Sequence, residues 1–181
     1  MSETANNNDN TKSISLFLET AKSEYEIEHN RTSIIDSKTS IALPIISAYF
    51  LALAEMNDFR NIFKIEIANF SDLILPSCLF ITYSTALILT LIAVIMLAKV
   101  IMTRDYNVIK PQDIYGTDYI TNDVRVLSLK LIDLYITATL HNKEKNDSRI
   151  PLYRRSWLFT AISIILFTIY IIIHNTMFGG K

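Results

Sequence analysis

Three histidines, one cysteine and a run of alternating glutamates are the residues of this chain best equipped for metal, redox or acid–base chemistry. A metal site needs His, Cys or carboxylate ligands at characteristic short spacings. His29, His141 and His174 are widely separated, and Cys78 sits inside an uncharged apolar run with no second cysteine to pair with. Glu24, Glu26 and Glu28 alternate, but on a helix Glu24 and Glu28 share a face while Glu26 points elsewhere, the pattern of a solvated surface. The three glycines, Gly116, Gly179 and Gly180, build no phosphate-cradling loop, and no serine lies in a nucleophile elbow. The expectation is a chain with no catalytic residues, no cofactor and no metal.

The charged cluster Glu28, Arg31, Asp36 and Lys38 is more informative, because it stands at the entrance to an apolar run. Arg31 follows Glu28 by three residues, the spacing of a helix-surface ion pair. Asp36 lies where hydrocarbon would begin, and a carboxylate there costs a few kcal/mol unless it is paired. Lys38 is nearly opposite on the helix, so the expected partner of Asp36 comes from another helix, with Arg154 and Arg155 as candidates, or from another subunit. A second set of candidates lies in the central apolar run, where Thr82, Thr85, Ala86 and Ala93 fall near one stripe suited to close helix packing.

The elements that position these residues follow from the distribution of charge. Residues 73–98 hold 26 uncharged positions, roughly 39 Å as a helix, which is enough to cross a bilayer with tilt. Pro76 is expected in the first turn of that helix, where a missing N–H does little harm. Residues 156–173 form a second run, preceded by Arg154 and Arg155 and carrying Trp157 as interfacial anchors. A third run, 39–54, is shorter. Reading it as a span places every lysine and arginine except Arg60, Lys64 and Lys181 on one side, a strong positive-inside bias.

The predicted organisation is therefore all-α and integral to a membrane. Its parts are a disordered tail (1–11), a pre-membrane helix (12–35) and a first span (36–56). An outer interfacial segment (57–72), a second span (73–101) and a helical cytoplasmic connector (102–155) follow. A third span (156–174) and an outer tail (175–181) complete the chain. The N-terminus is expected in the cytoplasm. Leu16, Ala21, Tyr25, Glu28 and Ile35 mark the pre-membrane helix. Its predicted partner is a helix over 121–142 with Val124, Leu127, Leu131, Leu134 and Ala138 on one face. With 17 Lys+Arg against 18 Asp+Glu the net charge is −1, which argues against nucleic acid as a partner.

The entry Asp36-Ser37-Lys38-Thr39 into an apolar span resembles the D-x-K-A entry to the first membrane helix of the Pycsar effector transmembrane family. Thr39 stands where that family carries alanine. The layout of long N-terminal helix, second span, cytoplasmic helical stretch and basic lead-in to a final span is similar over most of residues 15–175. The resemblance implies a bacterial inner-membrane, anti-phage effector that oligomerises and impairs membrane integrity when triggered. The implied trigger is a cyclic nucleotide or a cytosolic sensor protein; unlike in some such effectors, no fused nucleotide-binding domain is expected within these residues. The alternatives are a non-catalytic membrane anchor for a cytosolic partner, with Lys110, Lys130, Lys143 and Lys145 as its docking surface, and a holin-like lysis protein.

Overall fold

The computed structural model describes residues 2–55, 71–114 and 123–178, without the side chains of 2–11, 71–72, 111, 114 and 177–178. The described residues are helical wherever they are regular. They form α1 (Ser2–Glu55), α2 (Ser71–Met102), the four-residue α3 (Pro111–Ile114) and α4 (Val124–Phe178). Three of these helices are long and apolar enough to span a membrane. The predicted outer interfacial segment falls almost wholly outside the described residues, as do Arg60 and Lys64.

The long helices run unbroken across several of the predicted divisions. α1 begins at Ser2 and runs through the expected disordered tail and on through Pro44, because no glycine interrupts it and one proline is not enough to end it. The connector helix and the third span are one 55-residue helix, α4, which continues through Pro151. α2 starts at Ser71, which puts Pro76 in the second turn, where its ring forfeits the bond to the carbonyl of residue 72.

Contacts divide the chain into two compact units, Met1–Ser37 with Thr103–Arg149, and Lys38–Met102 with Ile150–Lys181. They are called here the polar and the apolar unit, and α1 and α4 supply residues to both. In each long helix the buried residues recur every seven positions. On α1 they are Thr32, Thr39, Ile46 and Leu53, interleaved with Glu28, Ile35 and Ala42. On α2 they are Leu79, Ala86, Ala93 and Val100, interleaved with Tyr83, Thr90 and Leu97. On α4 they are Asn142, Arg149, Ser156, Ser163 and Tyr170, beside Asn146 and Thr160. A seven-residue period is the repeat of left-handed coiled-coil packing.

Within the apolar unit the seam mixes small and hydroxyl-bearing side chains with a few aliphatic ones (Ile46, Leu53, Leu79, Leu97 and Val100), while many other large aliphatic side chains point away from it. Ala86, Thr90, Ala93, Ser156 and Ser163 are completely buried, whereas Ile81, Ile95, Ile165 and Ile172 are each more than half exposed. One cluster joins Ala42, Ile46, Ala93 and Leu97, flanked by Tyr153 and Phe159. Another joins Leu79, Tyr83 and Tyr170, flanked by Phe167. Small seam residues let backbones approach closely, the usual solution where the surrounding solvent is itself apolar.

Polar groups in this seam are bonded across helices. The Ser163 hydroxyl of α4 donates to the carbonyl of Ala86 at 2.8 Å and lies 2.7 Å from the Thr90 hydroxyl of α2. Tyr49 of α1 reaches the same Ser163 at 3.3 Å. Tyr83 donates to the carbonyl of Leu53 on α1. Three helices are thus fixed in register by hydroxyls.

Ala93 has no room for a larger side chain. Ala93→Leu should destabilise the protein by about 1–3 kcal/mol through overpacking, read as a lowered midpoint of thermal unfolding in detergent. Ile95→Leu, on the exposed face of the same helix, should leave the midpoint unchanged.

Candidate functional site: a paired ionic seam

The polar unit repeats the seam geometry with charged and amide side chains. α1 brings Glu28, Arg31, Thr32 and Asp36 to one face, and α4 brings Asn146, Asp147 and Arg149 to meet them. The two carboxylate oxygens of Glu28 are both used. Arg31 Nη1 donates to Oε1 at 3.1 Å, and Asn146 Nδ2 donates to Oε2 at 3.0 Å. Asn146 Nδ2 also lies 3.0 Å from the Thr32 hydroxyl, which donates to the carbonyl of Glu28 at 3.0 Å. Arg31 Nη2 then reaches Asp147 Oδ1 of α4 at 2.7 Å. Partial burial pulls the Arg31 guanidinium down. The hydrogen bonds from Asp147 and Glu28, with their charges, outweigh burial and hold it above its ordinary value.

Asp36 is the meeting point of three chain segments. Its Oδ1 accepts from Nη2 of Arg149 on α4 at 2.5 Å, and its Oδ2 accepts from Nε of Arg104, just beyond α2, at 2.9 Å. Arg149 is completely buried, the largest fully buried side chain among the described residues, and its guanidinium carbon lies 5.2 Å from the centre of the Tyr106 ring. The partner of Asp36 does come from another helix, but it is Arg149 rather than Arg154 or Arg155. Both of those are exposed, as is Lys38. The shift is five residues along α4. Arg149 shares the seven-residue period with Asn142 and Ser156; Arg154 and Arg155 do not.

The segment between α2 and α3 is stitched onto the same face. Asn142 pairs with the backbone of Asn107 in both directions, accepting from its N–H at 3.0 Å and donating to its carbonyl at 3.1 Å. The N–H of Ile109 donates to the Tyr25 hydroxyl at 3.3 Å. His141 Nε2 lies 3.1 Å from the carbonyl of Asp105, whose carboxylate is 3.7 Å from Lys145. Asp113 caps α3 by accepting from the N–H of Lys110 at 2.8 Å.

The apolar faces predicted for this unit are only partly used. Ala21, Ile35 and Ala138 are buried and Leu127, Leu131 and Leu134 half-buried, but Leu16 and Val124 are largely exposed. The packing stripe predicted on α2 splits in two. Ala86 and Ala93 are in the seam; Thr82 and Thr85 face outward, with their hydroxyls bonded to the carbonyls of Cys78 and Ile81 one turn back. Thr90 takes the seam position that Thr82 and Thr85 lack.

Among the described residues no group of three His, Cys, Asp or Glu side chains could hold a metal ion. What the arrangement can do is positional. It fixes α1, α4 and the segment after α2 to one another through charge-assisted bonds that fail together if the helices rotate.

Removing Asp36 leaves a buried guanidinium without its carboxylate, and breaking a buried pair this way costs about 3–5 kcal/mol. Asp36→Ala should lower the unfolding midpoint sharply, Asp36→Ala with Arg149→Met should recover much of the loss, and Glu26→Ala at the exposed Lys22–Glu26 pair should change it little. Equal losses in the single and double Asp36 variants would contradict the pairing.

No family model, no curated protein and no solved structure matches this chain.

Proposed function

We propose that the chain is a non-enzymatic, multi-pass protein of a bacterial inner membrane that oligomerises and impairs membrane integrity when its polar unit is triggered. In this reading residues 39–54, 73–98 and 156–173 cross the bilayer. The N-terminal part of α1 and the stretch 103–155 lie in the cytoplasm. The observation that carries the membrane reading is the exterior of the apolar unit, where Ile41, Ile45, Leu51, Ile81, Ile88, Ile95, Leu158, Ile165 and Ile172 are exposed while alanines, serines and threonines share the seam with a few aliphatic side chains. That exterior is stable in lipid and aggregates in water.

The effector reading is supported by continuity. α1 and α4 each run without a break from residues of the polar unit into residues of the apolar unit. A trigger that rearranges Asp36, Arg104 and Arg149 therefore acts on the same helices that form the spans. Those residues include the Asp36 of the D-x-K entry that resembles the Pycsar effectors. A cyclic nucleotide or a cytosolic sensor protein is the proposed trigger, and a second copy of the chain the proposed partner in the bilayer.

A second reading, a passive anchor for a cytosolic protein, is favoured by the exposed Leu129, Ile136 and Leu140 on the part of α4 that precedes the spans. Lys145 contributes less to such a surface than its sequence position implies, because it faces Asp105.

Overproduction in a bacterial host separates the two. The effector reading predicts loss of membrane potential and entry of an impermeant dye, both abolished by Asp36→Ala at equal protein level. Intact potential on overproduction, together with recovery of a stoichiometric companion from detergent extracts, would overturn it in favour of the anchor.

A further inference from the structure

The cationic side chains at the heart of this protein fall into two groups. Arg31, Arg104 and Arg149 of the polar unit each meet a carboxylate at 2.5 to 3.1 Å. Lys38, Arg154 and Arg155 belong to the apolar unit, are exposed, and meet no carboxylate among the described residues. The acids that could have paired with them are elsewhere. Asp36 is taken by Arg149 and Arg104, and the acidic residues on the described helices of the apolar unit are Glu55, at the far end of α1, and Asp72, in the first turn of α2.

These cations share one end of the apolar unit. Tyr153 packs against the cluster of Ala42, Ile46, Ala93 and Leu97. Lys38 lies one turn before Ala42, and Arg154 and Arg155 directly follow Tyr153. Trp157 comes next along α4. It is 42 % exposed and meets Tyr153 edge-on at a ring separation of 6.5 Å. An indole on the outer surface just beside unpaired guanidinium groups is the arrangement found at the level of lipid headgroups.

We propose that Lys38, Arg154 and Arg155 form a collar that binds the phosphate of anionic phospholipids. The inference rests on the membrane reading above. Guanidinium groups take phosphate oxygens in bidentate fashion, and clustered cations at a membrane surface select anionic over zwitterionic lipid. The lipid phosphates supply the negative counter-charge that Asp36, engaged by Arg104 and Arg149, does not give to the collar.

Trp157 is the one tryptophan of the chain, so its fluorescence reports on the lipid next to the collar. The full chain is reconstituted in phosphatidylcholine vesicles. Quenching is then titrated with phosphatidylglycerol or phosphatidylcholine brominated in the acyl chain. The expected result is a preference on the order of tenfold for the anionic lipid, since each near-surface cation adds attraction. Lys38→Gln/Arg154→Gln/Arg155→Gln should bring the ratio near one, and Arg154→Lys/Arg155→Lys should keep most of it. Equal quenching of the wild-type chain by the two lipids, or an unchanged preference in the glutamine variant, overturns the collar while leaving the spans in place. Loss of the preference on adding inorganic phosphate at constant ionic strength assigns the cations to a solution anion and also overturns it. A tryptophan untouched by either brominated lipid overturns the membrane reading with it.

Discussion

A carboxylate largely withdrawn from water is best stabilised by a cation, and Asp36, its side chain 19 % exposed, has two. Arg149 and Arg104 reach it at 2.5 and 2.9 Å from different parts of the chain. The magnitudes decide which ionic contacts matter. Lys22 and Glu26, both exposed at 3.8 Å, form a pair worth ~0–1 kcal/mol. Arg149 is fully buried, and stranding such a charge costs several kcal/mol. The relation of α1, α4 and the segment after α2 therefore depends on one carboxylate far more than on the surface charges around it.

The rest of the polar unit follows the same logic of complete pairing. Glu28 is shared between Arg31 and Asn146, and Asn142 satisfies both backbone groups of Asn107. Such networks hold firmly while every member is satisfied and weaken sharply when one is removed. In the apolar unit the hydroxyls of Tyr49, Thr90 and Ser163 perform the corresponding task between α1, α2 and α4. Dispersion between alanines and aliphatic side chains does the rest of the packing there.

The helical class and the three apolar stretches were legible because uncharged runs of spanning length are visible in any sequence. The Glu28–Arg31 pair was legible from three-residue spacing. The seam was not, for a physical reason. Amphipathic reading assumes apolar residues inside and polar ones outside. Here the buried positions include Glu28, Thr32, Asn142, Asn146 and Arg149, while Leu16, Ile27, Ile136 and Leu140 are exposed. Only the seven-residue recurrence of these polar residues, through Thr39 on α1 and Ser156 and Ser163 on α4, carried the signal. Arg149 was missed as the partner of Asp36 on the same ground, since Arg154 and Arg155 stand nearer the span but off the seam. The continuity of α4 is hidden by the polar stretch 142–149, which separates two apolar segments of one helix, and Pro151 removes one bond without ending it.

The proposed topology places the two ends of α4 on opposite sides of a bilayer. In a Cys78→Ser background, single cysteines at Ser23, Ser148 and Asn175 occupy exposed positions on α1 and α4. Labelling of intact spheroplasts with a membrane-impermeant maleimide should modify Asn175→Cys alone, with Ser23→Cys and Ser148→Cys reacting only after permeabilisation. Labelling of Ser148→Cys and Asn175→Cys from the same side would contradict it.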